Sequence, residues 1–191
     1  MNVDTMRRID RWVGVPVCAA LTLFEKIRRL LARSVPPREP RNALVIQLSE
    51  MGSLALAVPS IRHLRRQWPD IRVRFLVFRR NCAFLEILGL VDNEDIWTLD
   101  DSSLGAFLRS VLAFRRRARR EGVDMALDCE SFSRASMILS FLSGARRRAG
   151  FSAYEAEGLY RGNLLTHPVY YNVYRHIALN FAAMVRALAG D

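Results

Sequence analysis

The stretch QLSEMGSLALAVPS, residues 47–60, follows an apolar run, and its first half is a short loop with one carboxylate, one glycine and two serines. A serine hydroxyl is not a usable general base, so a proton abstracted in this loop would go to Glu50. Ser53 stands directly before an apolar helical pattern and is placed to cap that helix with its side-chain oxygen. A helix N-terminus beside Glu50 would lower its pKa, and burial would raise it. A loop carboxylate in an arginine-rich chain also suits plain solvation or ion pairing, so both readings of Glu50 stay open. A second carboxylate pair, Asp128 and Glu130, flanks Cys129. Residues two apart in a strand share a face, so the two could converge on one ligand; equally, they could cap a helix starting near Ser133.

Other chemistries find little support. The loop offers only Gly52 where a dinucleotide fingerprint needs three glycines, and no phosphate-binding G-x-x-x-x-G-K-[ST] occurs. Cys18, Cys82 and Cys129 are widely spaced, and the chain has 3 histidines. The reading is a reduced, cytoplasmic protein without structural zinc, and no Ser-His-Asp or Cys-His set is expected. His63 reads as a surface residue.

Elements that could position these residues alternate along the chain. Strands are predicted at 43–48, 71–78, 95–99, 123–129 and 146–151. Helices are predicted from Leu54 to Trp68, over 82–88, from Leu104 to Gly122, over 133–144 and from Val173 to Leu188. Pro59 implies that the first of these is kinked or begins late. Residues after 152 read as irregular up to the last helix. Such alternation predicts an α/β fold, a Rossmann-like parallel sheet with helices on both faces. Ligands should then collect at the carboxyl ends of the strands, where Glu50, Ser53, Asp128 and Glu130 fall.

Residues 1–33 stand apart from this globular part, residues 43–191, and the proline-rich SVPPREPRN, 34–42, links the two. The apolar run from Trp12 to Phe24 is too short to cross a bilayer, which takes about 20 residues. With Arg7, Arg8 and Arg11 around it, the segment reads as an amphipathic helix on a membrane surface, Trp12 and Phe24 at the interface. A helix packed on the domain and a signal peptide are the rival readings. The chain carries 29 Lys+Arg against 19 Asp+Glu, a net charge of +10, which draws it to phosphates. Nucleic acid is the least favoured partner, because the arginines lie at helix ends without interleaved aromatics.

Taken together, ALVIQLSEMGSLALAVPSIRHLRRQWPDIRVRFLV, VDMALDCESFSRASMILSFLSGARRRAGF and LLTHPVYYNVYRHIALNFAAMVRAL resemble the N-terminal half of glycosyltransferase family 9, the heptosyltransferases of lipopolysaccharide core assembly. The resemblance implies the N-terminal domain of a GT-B fold, holding an anionic glycolipid acceptor at the cytoplasmic face of the inner membrane. It implies inverting, metal-free transfer, with an ADP-heptose-like nucleotide sugar bound by a C-terminal domain that these residues do not include. No cofactor is expected on this domain itself, and partnership with a donor domain or self-association is expected. The family's loop ends in Met-Gly-Asp, whereas here Met51 and Gly52 precede Ser53. Glu50 is then the candidate base, with Met51, Gly52, Ser53, Asp128 and Glu130 as candidate acceptor contacts. A non-catalytic, membrane-peripheral module that binds an anionic glycolipid or a partner protein is the alternative.

Overall fold

The computed structural model describes residues 3–31, 38–48, 51–130, 133–152 and 160–190, with the side chains of 3–7 left out. Its centre is a sheet of six parallel strands: β1 (Asn42–Ile46), β2 (Arg72–Phe78), β3 (Ile96–Leu99), β4 (Met125–Asp128), β5 (Arg147–Phe151) and β6 (His167–Val169). They lie in the order β3-β2-β1-β4-β5-β6. The helices are α1 (Val3–Trp12), α2 (Gly14–Leu31), α3 (Met51–Gln67), α4 (Cys82–Leu88), α5 (Leu104–Glu121), α6 (Arg134–Leu142) and α7 (Ile177–Ala189).

Alternation along the strands divides the core in two. Ala43 and Val45 of β1 join Val73, Phe75 and Val77 of β2 under α3, α4 and α7, while Leu44, Ile46, Leu76 and Phe78 face α5 and α6. A strand buried on both faces is largely apolar, which is why β1 and residues 75–78 of β2 are legible as continuous runs, while Arg72 and Arg74 interrupt the start of β2.

Several boundaries differ from the sequence expectation. α3 begins at Met51, before Leu54, and passes through Pro59. The lost backbone bond and ring clash of an interior proline, about 3 kcal/mol, are offset by Leu54, Ala57, Ile61 and Leu64, all buried on either side of it. Ser53 is therefore inside the first turn, and its expected capping position is corrected. The last helix starts at Ile177 because Asn180 binds the backbone of Asn172 and Arg175, holding the preceding residues in a turn, and His176 Nδ1 caps Ala178 N–H. β6 was not expected: it is three residues long and contains Pro168, which as an edge position tolerates a missing donor.

Of residues 1–33, set apart by the sequence, the described ones, 3–31, form two helices folded against the domain. α1 ends at Trp12, where Val13 turns the chain, and α2 packs on α6. Three polar ties hold this hairpin. The Asp10 carboxylate accepts from the Arg134 and Ala135 backbone N–H groups, each at 3.0 Å, and pairs with the Arg134 guanidinium. It thus caps α6 from another part of the chain, where the helix dipole favours a negative charge. Thr22 Oγ1 accepts from Asn163 N–H at 3.0 Å. Glu25, buried, accepts from Arg148 at 2.9 Å and from Arg28 and Arg29 of its own helix. Leu21 packs on Met137, Leu164 and Leu165, a small apolar cluster under α2. Of the expected linker, Pro40 is buried and the Arg41 and Asn42 N–H groups donate to the Asp124 carboxylate; residues 34–37 lie outside the described residues.

Candidate functional site

After β1 the chain leaves to the α3 face of the sheet, and after β4 to the α6 face. Because β1 and β4 are neighbours, their carboxyl ends flank the crevice that such a reversal opens, the usual ligand position of an open α/β sheet. Gln47 and Leu48 follow β1 into it, and Cys129 and Glu130 follow β4.

The floor of this crevice is polar and buried. Gln47 Nε2 donates to Glu130 Oε1 at 3.4 Å, and Gln47 Oε1 has no partner among the described residues. Asn81, at the end of β2, donates through Nδ2 to the Leu48 carbonyl at 2.6 Å, tying the β1 loop to its neighbour. Asp128 is fully buried; one of its oxygens accepts from the Glu130 N–H and the other from Arg161 Nη2 at 2.7 Å. Burial pushes the Asp128 carboxyl up to about 6, against the pull of the Arg161 guanidinium. Arg161 also donates to the Ser133 and Phe151 carbonyls. One guanidinium thus joins the ends of β4, β5 and α6.

The expected site residues divide accordingly. Asp128 and Glu130 do come together at the end of β4, but both are buried, and Asp128 is committed to Arg161. Neither caps α6, whose N-cap is Ser133, accepting from Ser136 N–H. Met51 and Gly52 are exposed at the start of α3 and Ser53 is half-buried. Glu50 lies outside the described residues. Cys129 is buried and its thiol pKa is raised by burial and by Asp128, which removes it as a nucleophile. His63 is only partly exposed, and its Nε2 is buried without a partner among the described residues. Among the described residues, no three His, Cys, Asp or Glu side chains gather as metal ligands.

Sequence reasoning missed two features. Arg161, in a stretch read as irregular, gives no local signal of burial. Beside the crevice an open cleft of about 500 Å³ is lined by Arg79, Arg80, Asp100, Asp101 and Ser102. Arg79 faces Asp100 at 3.7 Å and Arg80 faces Asp101 at 3.0 Å. Hydrogen bonds from the Ser102 hydroxyl and then its backbone N–H hold the Asp100 carboxyl below its ordinary range. A signal for this cleft existed: an Arg pair follows β2 and an Asp pair follows the adjacent β3.

This architecture is the Rossmann-like α/β domain found in GT-B glycosyltransferases. Among solved structures, it is similar to the Escherichia coli heptosyltransferase WaaC with ADP-2-deoxy-2-fluoro heptose: TM-score 0.63 and 14% identity, over 78% of this chain and 48% of that one. It is also similar to E. coli ADP-heptose lipopolysaccharide heptosyltransferase II, with TM-score 0.60 and 16% identity over 75% and 40%. A glycosyltransferase family 9 structure from Veillonella parvula DSM 2008 gives TM-score 0.62 and 15% identity over 78% and 41%. The chain therefore spans less than half the length of these structures. No family model matches the sequence, and no curated protein does.

Proposed function

We propose that this chain is the acceptor-binding domain of a family 9 glycosyltransferase, and that it holds a phosphorylated glycolipid of the lipopolysaccharide-core type. The observation that supports this best is the fold likeness over about three quarters of the chain to two heptosyltransferases and a family 9 glycosyltransferase. In this reading the acceptor hydroxyl lies at the β1–β4 crevice, with Glu50 as its base, and Arg79 and Arg80 meet the acceptor's phosphates. A guanidinium binds phosphate through paired N–H donors, and the facing aspartates would exchange one partner for another. The nucleotide sugar belongs to a second domain of the GT-B type, outside these residues. Asp128 serves by fixing the crevice wall through Arg161 rather than by touching the sugar.

Ser53, at the position of the family's loop aspartate, favours a second reading, a binding module that transfers nothing. Both readings are tested by titrating the full chain with deacylated, phosphorylated core oligosaccharide in a calorimeter. Saturable binding is expected, weakened at least about tenfold in Arg79→Ala/Arg80→Ala, the loss of one or two charged hydrogen bonds. No binding, or binding indifferent to both arginines, would overturn the acceptor assignment. Coupled to a donor domain, Glu50→Gln should bind the oligosaccharide as before and lose transfer by about 100-fold or more, the scale of a general base. Unchanged transfer removes Glu50 from the mechanism, and no transfer by the parent protein favours the binding module.

A further inference from the structure

The α1–α2 hairpin has an inner and an outer surface, and charge is sorted between them. α2 contains a single acidic residue, Glu25, and it is turned inward and buried against Arg148. Asp10 of α1 is likewise turned inward, onto the N-terminus of α6. Gly14 and Cys18 share the buried face with Glu25, at spacings of four and seven residues. On the opposite side, Leu23, Ile27 and Leu30 recur at helical spacing, joined by Leu31 and by Trp12 at the end of α1. These are exposed by 61%, 48%, 86%, 79% and 77% respectively. Arg8, Arg11, Lys26, Arg28 and Arg29 are exposed along the same hairpin.

We propose that this outer surface docks flat on an anionic lipid bilayer. Its chemistry fits that occupant more closely than a protein partner. An apolar stripe bordered, among the described side chains, by cations suits the boundary between acyl chains and anionic head groups, where arginine and lysine stems extend to phosphate. Indole favours the same depth. No described helix is long and apolar enough to cross the membrane, and an 18-residue helix lying flat covers about 27 Å. The inward turn of Asp10 and Glu25 takes both carboxylates away from the lipid side, a sorting that the linear sequence does not show.

Docking also fixes an orientation. Gly14 sits against Arg134 at the start of α6, and Phe24 meets Phe141 near its end, so α2 runs alongside α6 in the same direction. The start of α6 is at the crevice edge of the sheet. With α2 flat on the bilayer, the strands lie close to the membrane plane, Trp12 marks the crevice end, and the crevice opens along the lipid surface.

The proposal is independent of the glycan reading, because it needs only lipid. The 191-residue chain is floated with vesicles containing about 30% phosphatidylglycerol, and with phosphatidylcholine vesicles, alongside Leu23→Ser/Leu30→Ser/Leu31→Ser. All three leucines are exposed, so the variant should keep the parent's thermal unfolding. Expected is salt-sensitive binding to the anionic vesicles only, reduced at least about tenfold in the variant. Brominated lipids should quench the emission, and the quenching should vanish in Trp12→Phe, since Trp97 is buried and Trp68 is half-buried. No vesicle binding, equal binding by the variant, or an unquenched Trp12 would overturn the proposal. So would a parent dimer that the three serines dissolve with no lipid binding in either form, since the surface would then belong to a second copy.

Discussion

At the scale of single residues, the crevice wall depends on one buried ion pair. Asp128 is 0% exposed and Arg161 3%, so neither charge has water to fall back on. Removing one partner from such a pair leaves the other charge uncompensated, at a cost of about 3–5 kcal/mol. The pH dependence has a definite sign. The folded carboxyl sits at about 6, above its unfolded value of about 3.9. Between the two the folded state binds more protons than the unfolded one, so this group's contribution to stability declines as pH rises through 6. Arg161→Met keeps the volume but removes the countercharge that holds that pKa down. Urea unfolding of Arg161→Met should therefore show a loss of about 3 kcal/mol or more at pH 8 and a clearly smaller one at pH 5. Equal losses at the two pH values would show that the carboxylate does not carry the effect.

At the scale of elements, the hairpin is docked through Glu25 of α2, whose carboxyl is held down at about 2 by hydrogen bonds from Arg28 and Arg148, against desolvation. This shift runs opposite to that of Asp128. The unfolded state binds the proton first, so the stabilisation is complete above about pH 4.5 and is lost as pH falls towards 2. Arg28 is half exposed, so solvent screening reduces the full linkage value and about 2 kcal/mol is a reasonable expectation. Glu25→Gln should lower stability by about that much at pH 7 and flatten the acid limb of the curve below pH 4.5; an unchanged acid limb would place the docking energy elsewhere. Close packing supports the same contact: Gly162 has φ +73°, and a Cβ there would lie 2.6 Å from Thr22 Oγ1. The sequence made β1 to β5 and the helices between them legible, because β1, residues 75–78 of β2 and residues 125–127 of β4 are apolar runs and α5 keeps a clean stripe, although arginines interrupt the start of β2 and open β5. It hid β6, too short and too proline-bearing to register. It did not show which side of α2 turns inward: the segment read as an amphipathic helix with Trp12 and Phe24 at a membrane interface, and nothing in the sequence marks Glu25 as buried. Arg134, Arg148 and Arg161 were equally opaque, since each is buried by a partner 26 to 124 residues away. That Asp128 and Glu130 fall at the carboxyl end of a strand was legible from the alternation of elements; the strand order that opens the crevice, and the commitment of Asp128 to Arg161, were not.

At the scale of the whole molecule, residues 3–31 pack into the folded domain rather than hanging from it as a detachable anchor. Without them Met137, Leu164 and Leu165 lose the cover of Leu21, Arg148 loses Glu25, and Arg134 and the first turn of α6 lose Asp10. Stranding even one buried charge costs about 3–5 kcal/mol, and exposing a few large apolar side chains adds about 1.5–3 kcal/mol for each one fully uncovered. That total is comparable with the entire stability of an ordinary domain, about 5–15 kcal/mol. A chain beginning at residue 34 should therefore unfold at much lower urea than the full chain, or fail to give a cooperative transition by circular dichroism. If it unfolds cooperatively within about 1 kcal/mol of the full chain, the polar ties between hairpin and sheet contribute little and the hairpin is an appendage after all. The expected outcome has a consequence for any study of membrane binding: deleting the hairpin would confound lost lipid contact with lost fold. Replacing only its outward leucines leaves Glu25, Asp10 and Thr22 in place, so the lipid-facing surface can be altered while the sheet and its crevice stay intact.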